Sequence, residues 1–252
     1  MFKIFEEIQI IGKQLIFLPK CRSTNDIAAD MLKKGILKEG AIIVTNHQDA
    51  GRGQRGNVWV SSKNKNLTFS LVLKPDFISP PDNFALNMLV SVAIINVLKG
   101  FNKSSFRIKW PNDIMHNGNK LGGILIENSI QGAKIENSII GIGLNVNQVS
   151  FNDQFNAVSL INIFERSFDL NKLLNKIIRQ MEDQFLILKS GNKELLKNTY
   201  LDNLYWLNEK HTFISSSKFD GIIKGIDPIG RLEVKTDKGL EKFNFKEIKY
   251  LE

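Results

Sequence analysis

Apolar residues recur every three or four positions in one stretch near the start of the chain, which predicts a short helix. The repeating residues are Ile27, Ala28, Met31 and Leu32. Ser23 precedes them as a capping residue with an acid three positions later, and Gly35 ends the repeat. Strands are predicted at 41–45 and 67–73. Because the second alternates apolar and polar residues, we expect that strand to be half-buried.

The middle of the chain contains the most apolar segment, residues 83–98, which predicts a central helix. A strand is predicted at 106–110. The pair Asn117-Gly118 is typical of a hairpin turn, so residues 120–127 are expected to return as a strand from that turn.

Residues 134–146 predict another long strand, in which Gly141 and Gly143 would allow another group to approach the backbone closely. Asp169 is then expected to cap a long helix over 170–189. A shorter helix follows this one.

The pattern changes at about Trp206, after which short strands are separated by turn sequences at 227–230 and 237–239. We therefore predict a small β-barrel over 206–252, beside a larger domain over 1–205. Helices and strands in the larger domain do not alternate regularly. This favours an α+β fold with a mixed, largely antiparallel sheet over a doubly wound sheet.

The composition is typical of a globular protein, with 252 residues, 42% apolar and 24% charged. No uncharged apolar run is long enough for a membrane span, so no membrane association is expected. Early acidic residues argue against a secretory signal. With Cys21 as the single cysteine, an internal disulfide is excluded, and a cytoplasmic location is expected.

The formal net charge of +8 could indicate nucleic-acid binding, but most lysines are scattered singly along the chain. One local excess stands out, with Asp113 as the lone acid among five cations. The cations are Lys99, Lys103, Arg107, Lys109 and Lys120. Such a patch suits a phosphate-bearing ligand and an acidic protein partner. No RNA-recognition aromatic signature accompanies it.

Three short motifs in a fixed order carry most of the functional information. Residues 51–56 read Gly-Arg-Gly-Gln-Arg-Gly, with Trp59 shortly after; residues 109–113 read Lys-Trp-Pro-Asn-Asp; residues 120–125 read Lys-Leu-Gly-Gly-Ile-Leu. Glycines let a backbone approach a phosphate closely, and cations face its charge. The set therefore predicts a site for a nucleotide-linked acid.

The glycine loop resembles three other nucleotide-binding motifs by its letters, but the surrounding sequence does not support them. A dinucleotide fingerprint requires a helix directly after the loop, and residues 57–64 are a poor helix start. The other kinase motifs are missing, and no Gly-Lys-Ser/Thr closes a phosphate-binding loop. A plain glycine-rich hairpin remains as the alternative. Two arginines among three glycines favour an anion-binding loop instead.

Together these residues resemble the biotin–protein ligases, also called biotin–acetyl-CoA-carboxylase ligases. The matching stretches span most of residues 20–150 and comprise 23–25, 48–56 with Trp59, 109–113, 120–125 and 141–147. The resemblance implies a class II synthetase-like catalytic domain over 1–205 and an SH3-like β-barrel over 206–252. It also implies two reactions: biotin and ATP give biotinyl-5′-adenylate, which then acylates a lysine of a biotin carboxyl carrier domain.

The resemblance assigns roles to individual residues. Catalytic roles fall on Lys120 and Arg52, and we add Asp113 as a hypothesis of our own. Contacts to biotin fall on Ser23, Thr24, Asn25, Gln48, Gly51, Arg52, Lys120 and Gly122. Contacts to the nucleotide fall on Arg52, Gly53, Gln54, Arg55, Trp59, Lys109, Asn112 and Asn145. Asp113 would position or deprotonate the incoming lysine, or it would only orient Lys109 or Lys120.

The same resemblance implies the ligands and partners. ATP and biotin are substrates, and Mg²⁺ would accompany ATP, held mostly by phosphates and water. His47, His116 and His211 are too dispersed to predict a metal site. A biotin carboxyl carrier protein is the expected partner, homodimers are common in the family, and DNA binding is not expected. Only about twenty residues precede Ser23, which suggests a monofunctional ligase without a DNA-binding domain.

One departure and two rival functions remain open. The family loop often has a second arginine where this chain has Gln54, so we expect weaker retention of the adenylate. A lipoate–protein ligase or octanoyltransferase is the nearest rival, and Cys21 would be the candidate nucleophile if it is a transferase. A nucleic-acid-binding protein is the distant rival. A small apolar role is the simpler explanation of Cys21.

Overall fold

The structure is a computed structural model that describes residues 2–4, 8–101, 105–152 and 156–251, apart from the side chain of Arg55. Its strands are β1 Leu15–Leu18, β2 Ile42–Thr45, β3 Leu67–Leu73, β4 Phe106–Lys109, β5 Asp113–His116, β6 Asn119–Gln131, β7 Lys134–Leu144, β8 Lys210–Ile214, β9 Lys218–Ile226, β10 Leu232–Thr236, β11 Gly239–Phe243 and β12 Lys249–Tyr250. Its helices are α1 Thr24–Lys33, α2 Phe84–Lys99, α3 Leu160–Phe164, α4 Leu170–Lys189 and α5 Lys193–Leu201. The chain therefore combines helices and strands without regular alternation, as predicted.

The first seven strands form one sheet in the order β1-β2-β3-β7-β6-β5-β4. Only the β1–β2 pair at the edge is parallel; the other neighbours are antiparallel. The longest ladder joins β6 to β7, and these two strands occupy the middle of the sheet. The prediction of a mixed, largely antiparallel sheet is confirmed.

The expectation that residues 67–73 are half-buried is wrong, because all seven residues of β3 are buried. Phe69 and Leu71 belong to the main core with α2 and α4, whereas Val72 packs with Ala28 of α1. The sheet is thus covered on both faces. The polar positions of β3 face a protein interior on the α1 side rather than water.

The central helix α2 is apolar almost all round, which is the pattern of a fully buried helix. In the described part of the chain, Pro80–Lys99 is the one segment long and apolar enough to cross a membrane, with a mean hydropathy of 1.4. However, 78% of that window is buried inside the fold. Its composition therefore fits a core helix that packs against α4.

Besides the edge strand β1, two short elements were not predicted from the sequence. Strand β5 lies between β4 and β6, so the Asn117-Gly118 turn joins β5, not β4, to β6. Both turn residues have positive φ, as the hairpin turn requires. Helix α3 begins at a capping box formed by Ser159 and Asn162. Both elements are too short to show a repeat of apolar positions.

The C-terminal strands form a second sheet in the order β11-β10-β9-β8-β12. Its ladders do not join β11 to β12 in the described residues, so a five-stranded sheet is present and closure into a barrel stays a prediction. Its buried residues continue the main core. A buried hydrogen bond of 2.9 Å from Trp110 Nε1 to the Gly230 carbonyl attaches this sheet to the larger one.

One buried carboxylate, that of Glu182, attaches the N-terminal segment to α4 through three hydrogen bonds. Glu182 of α4 is 2% exposed and accepts backbone N–H groups of Gln9, Ile10 and Ile11 at 2.9, 3.0 and 2.7 Å. Glu182→Gln removes the charge and turns one acceptor into a donor. We expect a loss of about 2 kcal/mol in the free energy of unfolding, measured by urea denaturation.

The neighbouring Asp183 is the matched control. It forms an exposed i,i+4 ion pair of 3.5 Å with Arg179, so Asp183→Asn should cost less than about 0.5 kcal/mol. Equal effects of the two substitutions would contradict the anchoring role of Glu182.

Candidate active site

A cavity of about 140 Å³ lies where the N-terminus of α1, the glycine loop and the middle strands of the large sheet meet. Most predicted site residues line it: Ser23, Thr24, Asn25, Gln48, Arg52, Gly53, Gln54, Trp59, Asn112, Asp113 and Lys120. Thr68, Gly141 and Gly143 complete the sheet side of the wall. The three sequence motifs therefore converge on one site.

A polar cluster at the start of α1 forms the inner end of this cavity. Ser23 is the N-cap and accepts a hydrogen bond from the Asp26 N–H. The backbone N–H of Thr24 donates to Gln48 Oε1 at 2.8 Å. Asn25 Nδ2 donates to Glu127 Oε2 at 2.7 Å. Because these polar side chains are fixed by hydrogen bonds, they present an ordered set of donors and acceptors.

The glycine loop is a closed turn and not the start of an α-helix. Gly53 N–H donates to the Asn57 carbonyl at 2.7 Å, and Trp59 N–H donates to the Gly51 carbonyl at 2.9 Å. A single 3₁₀ turn, Gln54–Gly56, lies between these two bonds. This backbone agrees with the hairpin alternative and excludes a dinucleotide-type loop, although the loop also lines the cavity.

Arg52 meets two protein carboxylates at the cavity mouth. Its guanidinium donates to both oxygens of Glu127 at 2.9 Å and to Asp26 Oδ1 at 2.7 Å. The hydrogen bonds to Glu127 are the main cause that raises the pKa of Arg52 above its usual value. Neither acid was predicted as a site residue. The carboxylates that pair with Arg52 in this structure come from the chain itself.

Lys120 and Asp113 form the second ion pair of the site, with 2.7 Å between Nζ and Oδ1. They are brought together by the β5–β6 ladder, in which Asp113 lies opposite Gly123. A Cβ at Gly123 would touch Lys120 Nζ at 3.5 Å and Asp113 Oδ1 at 3.6 Å. Gly123 thus leaves the surface beneath the pair open.

Gly141 and Gly143 of β7 admit close approaches, as the sequence predicted. A Cβ at Gly141 would overlap Asn25 Oδ1, and one at Gly143 would overlap the indole of Trp59. The Trp59 ring therefore lies directly on the sheet backbone. Its Nε1 is buried without a hydrogen-bond partner in the described structure.

A second cavity of about 490 Å³ adjoins the first and shares Asn57, Val58, Trp59, Asp113 and Lys120 with it. Two predicted nucleotide contacts, Lys109 and Asn145, line this cavity alone. Lys109 Nζ lies 4.8 Å from the centre of the Tyr250 ring, and Asn145 Nδ2 donates to the Val158 carbonyl at 3.2 Å. The C-terminal sheet thus borders the site.

Several other predicted residues make contacts within the fold or lie outside the two cavities. Gly51 and Gly122 line neither cavity; a Cβ would lie 2.8 Å from Gln48 Nε2 at the first and 2.9 Å from a backbone carbonyl at the second. Asn112 Nδ2 donates to the Ile124 carbonyl at 2.6 Å. The Arg55 side chain and Lys103 lie outside the described residues. Lys99 and Arg107, from the basic patch, also line neither cavity.

Cys21 does not line either cavity, although it forms a backbone bridge with Gln48. Burial is the main cause that raises the pKa of its thiol, which keeps it protonated at neutral pH. A protonated thiol is a poor nucleophile. Within the described ranges, no group of three His, Cys, Asp or Glu side chains could hold a metal ion.

Comparison with known proteins relates this site to a family. The model of the biotin/lipoate A/B protein ligase family matches residues 17–145, about half of the chain. The bifunctional ligase/repressor BirA of Bacillus spizizenii is 30% identical over 241 residues, which cover 93% of this chain and 73% of that protein. The biotin–[acetyl-CoA-carboxylase] ligase of Mycobacterium tuberculosis is 25% identical, with coverages of 89% and 86%.

A solved structure agrees with the sequence comparisons. The biotin protein ligase from Aquifex aeolicus in complex with biotin and ATP superposes with a TM-score of 0.81 at 25% identity. The match covers 95% of this chain and 100% of that chain. The similarity therefore includes both sheets as well as the matched family segment.

The contact between Trp59 and Gly143 can be tested in the free protein. Gly143→Ala places a methyl group where the indole lies, so the ring must move from its half-buried position toward water. We expect the intrinsic tryptophan emission to shift to longer wavelength. In a Trp59→Phe background, the same glycine substitution should leave the emission unchanged. An unshifted spectrum of the Gly143→Ala protein would contradict the packing described here.

Proposed function

The chain belongs to the biotin/lipoate A/B protein ligase family, and we propose that it activates biotin with ATP and transfers it to a lysine of a biotin carboxyl carrier domain. Relatives named as biotin ligases and the similarity to a biotin- and ATP-bound ligase support this activity. The protein is thus a carbon–nitrogen ligase that forms biotinyl-5′-adenylate as its intermediate.

The observation that carries this function is the pair of adjoining cavities that share Lys120, Asp113 and Trp59. An enzyme that joins two substrates requires two compartments that meet at the reacting atoms. The smaller compartment, with the polar cluster around Thr24 and Gln48, fits the biotin ring. The larger one, with Lys109 and Asn145, fits the nucleotide.

The first reaction needs charge stabilisation and no general base. A carboxylic acid with a pKa of about 4 is already ionised at neutral pH. The barrier lies in bringing this carboxylate to the α-phosphate, which favours cations placed between the two. We assign that role to Lys120. An ammonium has three N–H donors, so Lys120 can keep Asp113 and still bind two ligand oxygens.

The remaining assignments belong to the same proposal. Arg52 and the loop amides act on the carboxylate side, Trp59 stacks on the adenine, and Asn112 and Asn145 support the nucleotide. Mg²⁺ would accompany ATP, held by its phosphates and water. Residues 1–205 form the catalytic domain and 206–252 the C-terminal domain.

The cellular setting is also proposed. A biotin-dependent carboxylase supplies the carrier domain, whose acidic surface would face the cations around the second cavity. We place the enzyme in the cytoplasm, as a homodimer that binds neither DNA nor membranes. Lipoate activation on the same fold is the competing activity, and the choice of acid separates the two.

The test is ATP–pyrophosphate exchange with biotin, lipoate or octanoate as the acid. Biotin should support exchange, and Lys120→Ala should lower its rate by at least about 100-fold, because one preorganised charge contact is lost. Lys134→Ala, an exposed lysine in the β6–β7 turn region, is the matched control and should retain the rate. If only lipoate supports exchange, lipoate and not biotin is the substrate.

Asp113 provides a separate test of the second reaction. The incoming lysine must lose a proton, against a pKa of about 10.4, before it attacks the adenylate. We expect Asp113→Ala to spare pyrophosphate exchange and to slow single-turnover transfer from preformed adenylate by about 100-fold. An equal loss in both reactions would show that Asp113 only orients Lys120, the contact that is present in the structure.

A further inference from the structure

Four polar side chains beside the smaller cavity, Thr24, Ser70, Asn25 and Glu127, form a continuous chain of hydrogen bonds, and the Thr24 backbone joins this chain to Gln48. Ser70 of β3 is fully buried in the middle, with Oγ 2.7 Å from Thr24 Oγ1 and 2.6 Å from Asn25 Oδ1. Beyond Thr24 lies Gln48 Oε1 at 3.2 Å, and beyond Asn25 lies Glu127 Oε2 at 2.7 Å. Ser70 was not among the residues predicted from the sequence.

The direction of this chain follows from its charged end. Glu127 is held by two hydrogen bonds from Arg52, so its carboxylate acts only as an acceptor. The Asn25 amide therefore turns its NH₂ group toward Glu127, where the Leu125 carbonyl is a second acceptor at 3.4 Å. Its oxygen must then face Ser70, and that oxygen requires a donor.

The number of hydroxyl protons determines the direction of the remaining hydrogen bonds. Ser70 has one hydroxyl proton, and among the described residues Ser70 is the donor within reach of Asn25 Oδ1. Ser70 Oγ must then accept the proton of Thr24, at 2.7 Å, rather than donate to it. Thr24 consequently does not donate to Gln48 Oε1, which still accepts the Thr24 backbone N–H at 2.8 Å.

This order determines what the cavity offers to a ligand. Thr24 Oγ1 donates its proton to Ser70, so it presents only lone pairs to the cavity. Gln48 has its oxygen engaged by the Thr24 backbone, which leaves its NH₂ group as a donor. Both side chains line the cavity. The wall is therefore an acceptor beside a donor, with fixed polarity.

We propose that Ser70 is the positioning residue that makes this cavity selective for a ring bearing an N–H donor beside a carbonyl acceptor. The inference rests on the proposed function, since the cyclic urea of biotin has this pattern and the tails of lipoate and octanoate lack it. Without Ser70, the Thr24 hydroxyl proton loses its buried acceptor and is free to point into the cavity. A ligand N–H then meets a proton instead of a lone pair, which weakens binding.

The test compares two fully buried serines in pyrophosphate exchange. Ser70→Ala should raise the KM for biotin about tenfold, the size of one lost hydrogen bond, and leave the KM for ATP and kcat unchanged. Ser91→Ala removes the same atom from a serine of α2 whose hydroxyl has no partner in the described structure. It should leave all three parameters unchanged.

A second substitution covers the case in which Ser70→Ala does not fold, judged by thermal unfolding. Ser70→Cys is close in size and keeps a weak S–H donor, so it should raise the KM for biotin less than alanine does. An unchanged KM for biotin in the folded variants, or equal increases for biotin and ATP, would overturn the positioning role. Absence of biotin-dependent exchange in the wild-type protein would instead overturn the proposed function.

Discussion

The whole site depends on a region of the sheet that has no side chains. Gly141 and Gly143 of β7, together with Gly123 of β6, lie at the middle of the seven-stranded sheet on the side of α1. Any Cβ at Gly141 or Gly143 would overlap a site residue, Asn25 or Trp59. The glycines allow polar and aromatic groups to rest on the backbone, where a sheet would ordinarily present a layer of side chains.

Placing cations on such a surface has a cost that the fold offsets locally. Arg52 is neutralised by Glu127 and Asp26, and Lys120 by Asp113. Asp113 is 25% exposed and the other four side chains are 38–45% exposed, so these charges keep much of their hydration, and each cation also has a carboxylate partner. Under the proposed function, a ligand carboxylate or phosphate would meet cations already held in place. The structure thus supplies preorganised charge, which is more effective in catalysis than charge that must first be ordered.

The sequence predicted the longer elements and the converging motifs because these depend on local patterns. Ser23 caps helix α1 as expected, and the close approaches at Gly141 and Gly143 are confirmed. The acids around Arg52 could not be predicted, since Glu127 is 75 positions away and becomes its neighbour only through folding. The roles of individual residues toward the ligands stay predictions.

The alternation in β3 was a correct pattern with a wrong consequence. Polar residues at alternate positions usually face water, and residues 67–73 were therefore expected to be half-buried. Here a helix and a binding cavity cover that face, so Thr68 and Ser70 are buried among polar neighbours. Periodicity reveals which residues share a face. What covers the face depends on distant parts of the chain, and only the structure provides it.

The end of β4 and the residue that follows it are held from three directions, which explains why the C-terminal sheet borders the site. Ile108 pairs with the chain around Asn203 on one side and with β5 on the other. Two residues later, Trp110 donates to the Gly230 carbonyl of the C-terminal sheet. Between them, Lys109 extends toward Tyr250 and the second cavity. The change of pattern at Trp206 marks a change of architecture, but the hydrophobic core continues across both sheets. The position of Lys109 therefore depends on both sheets.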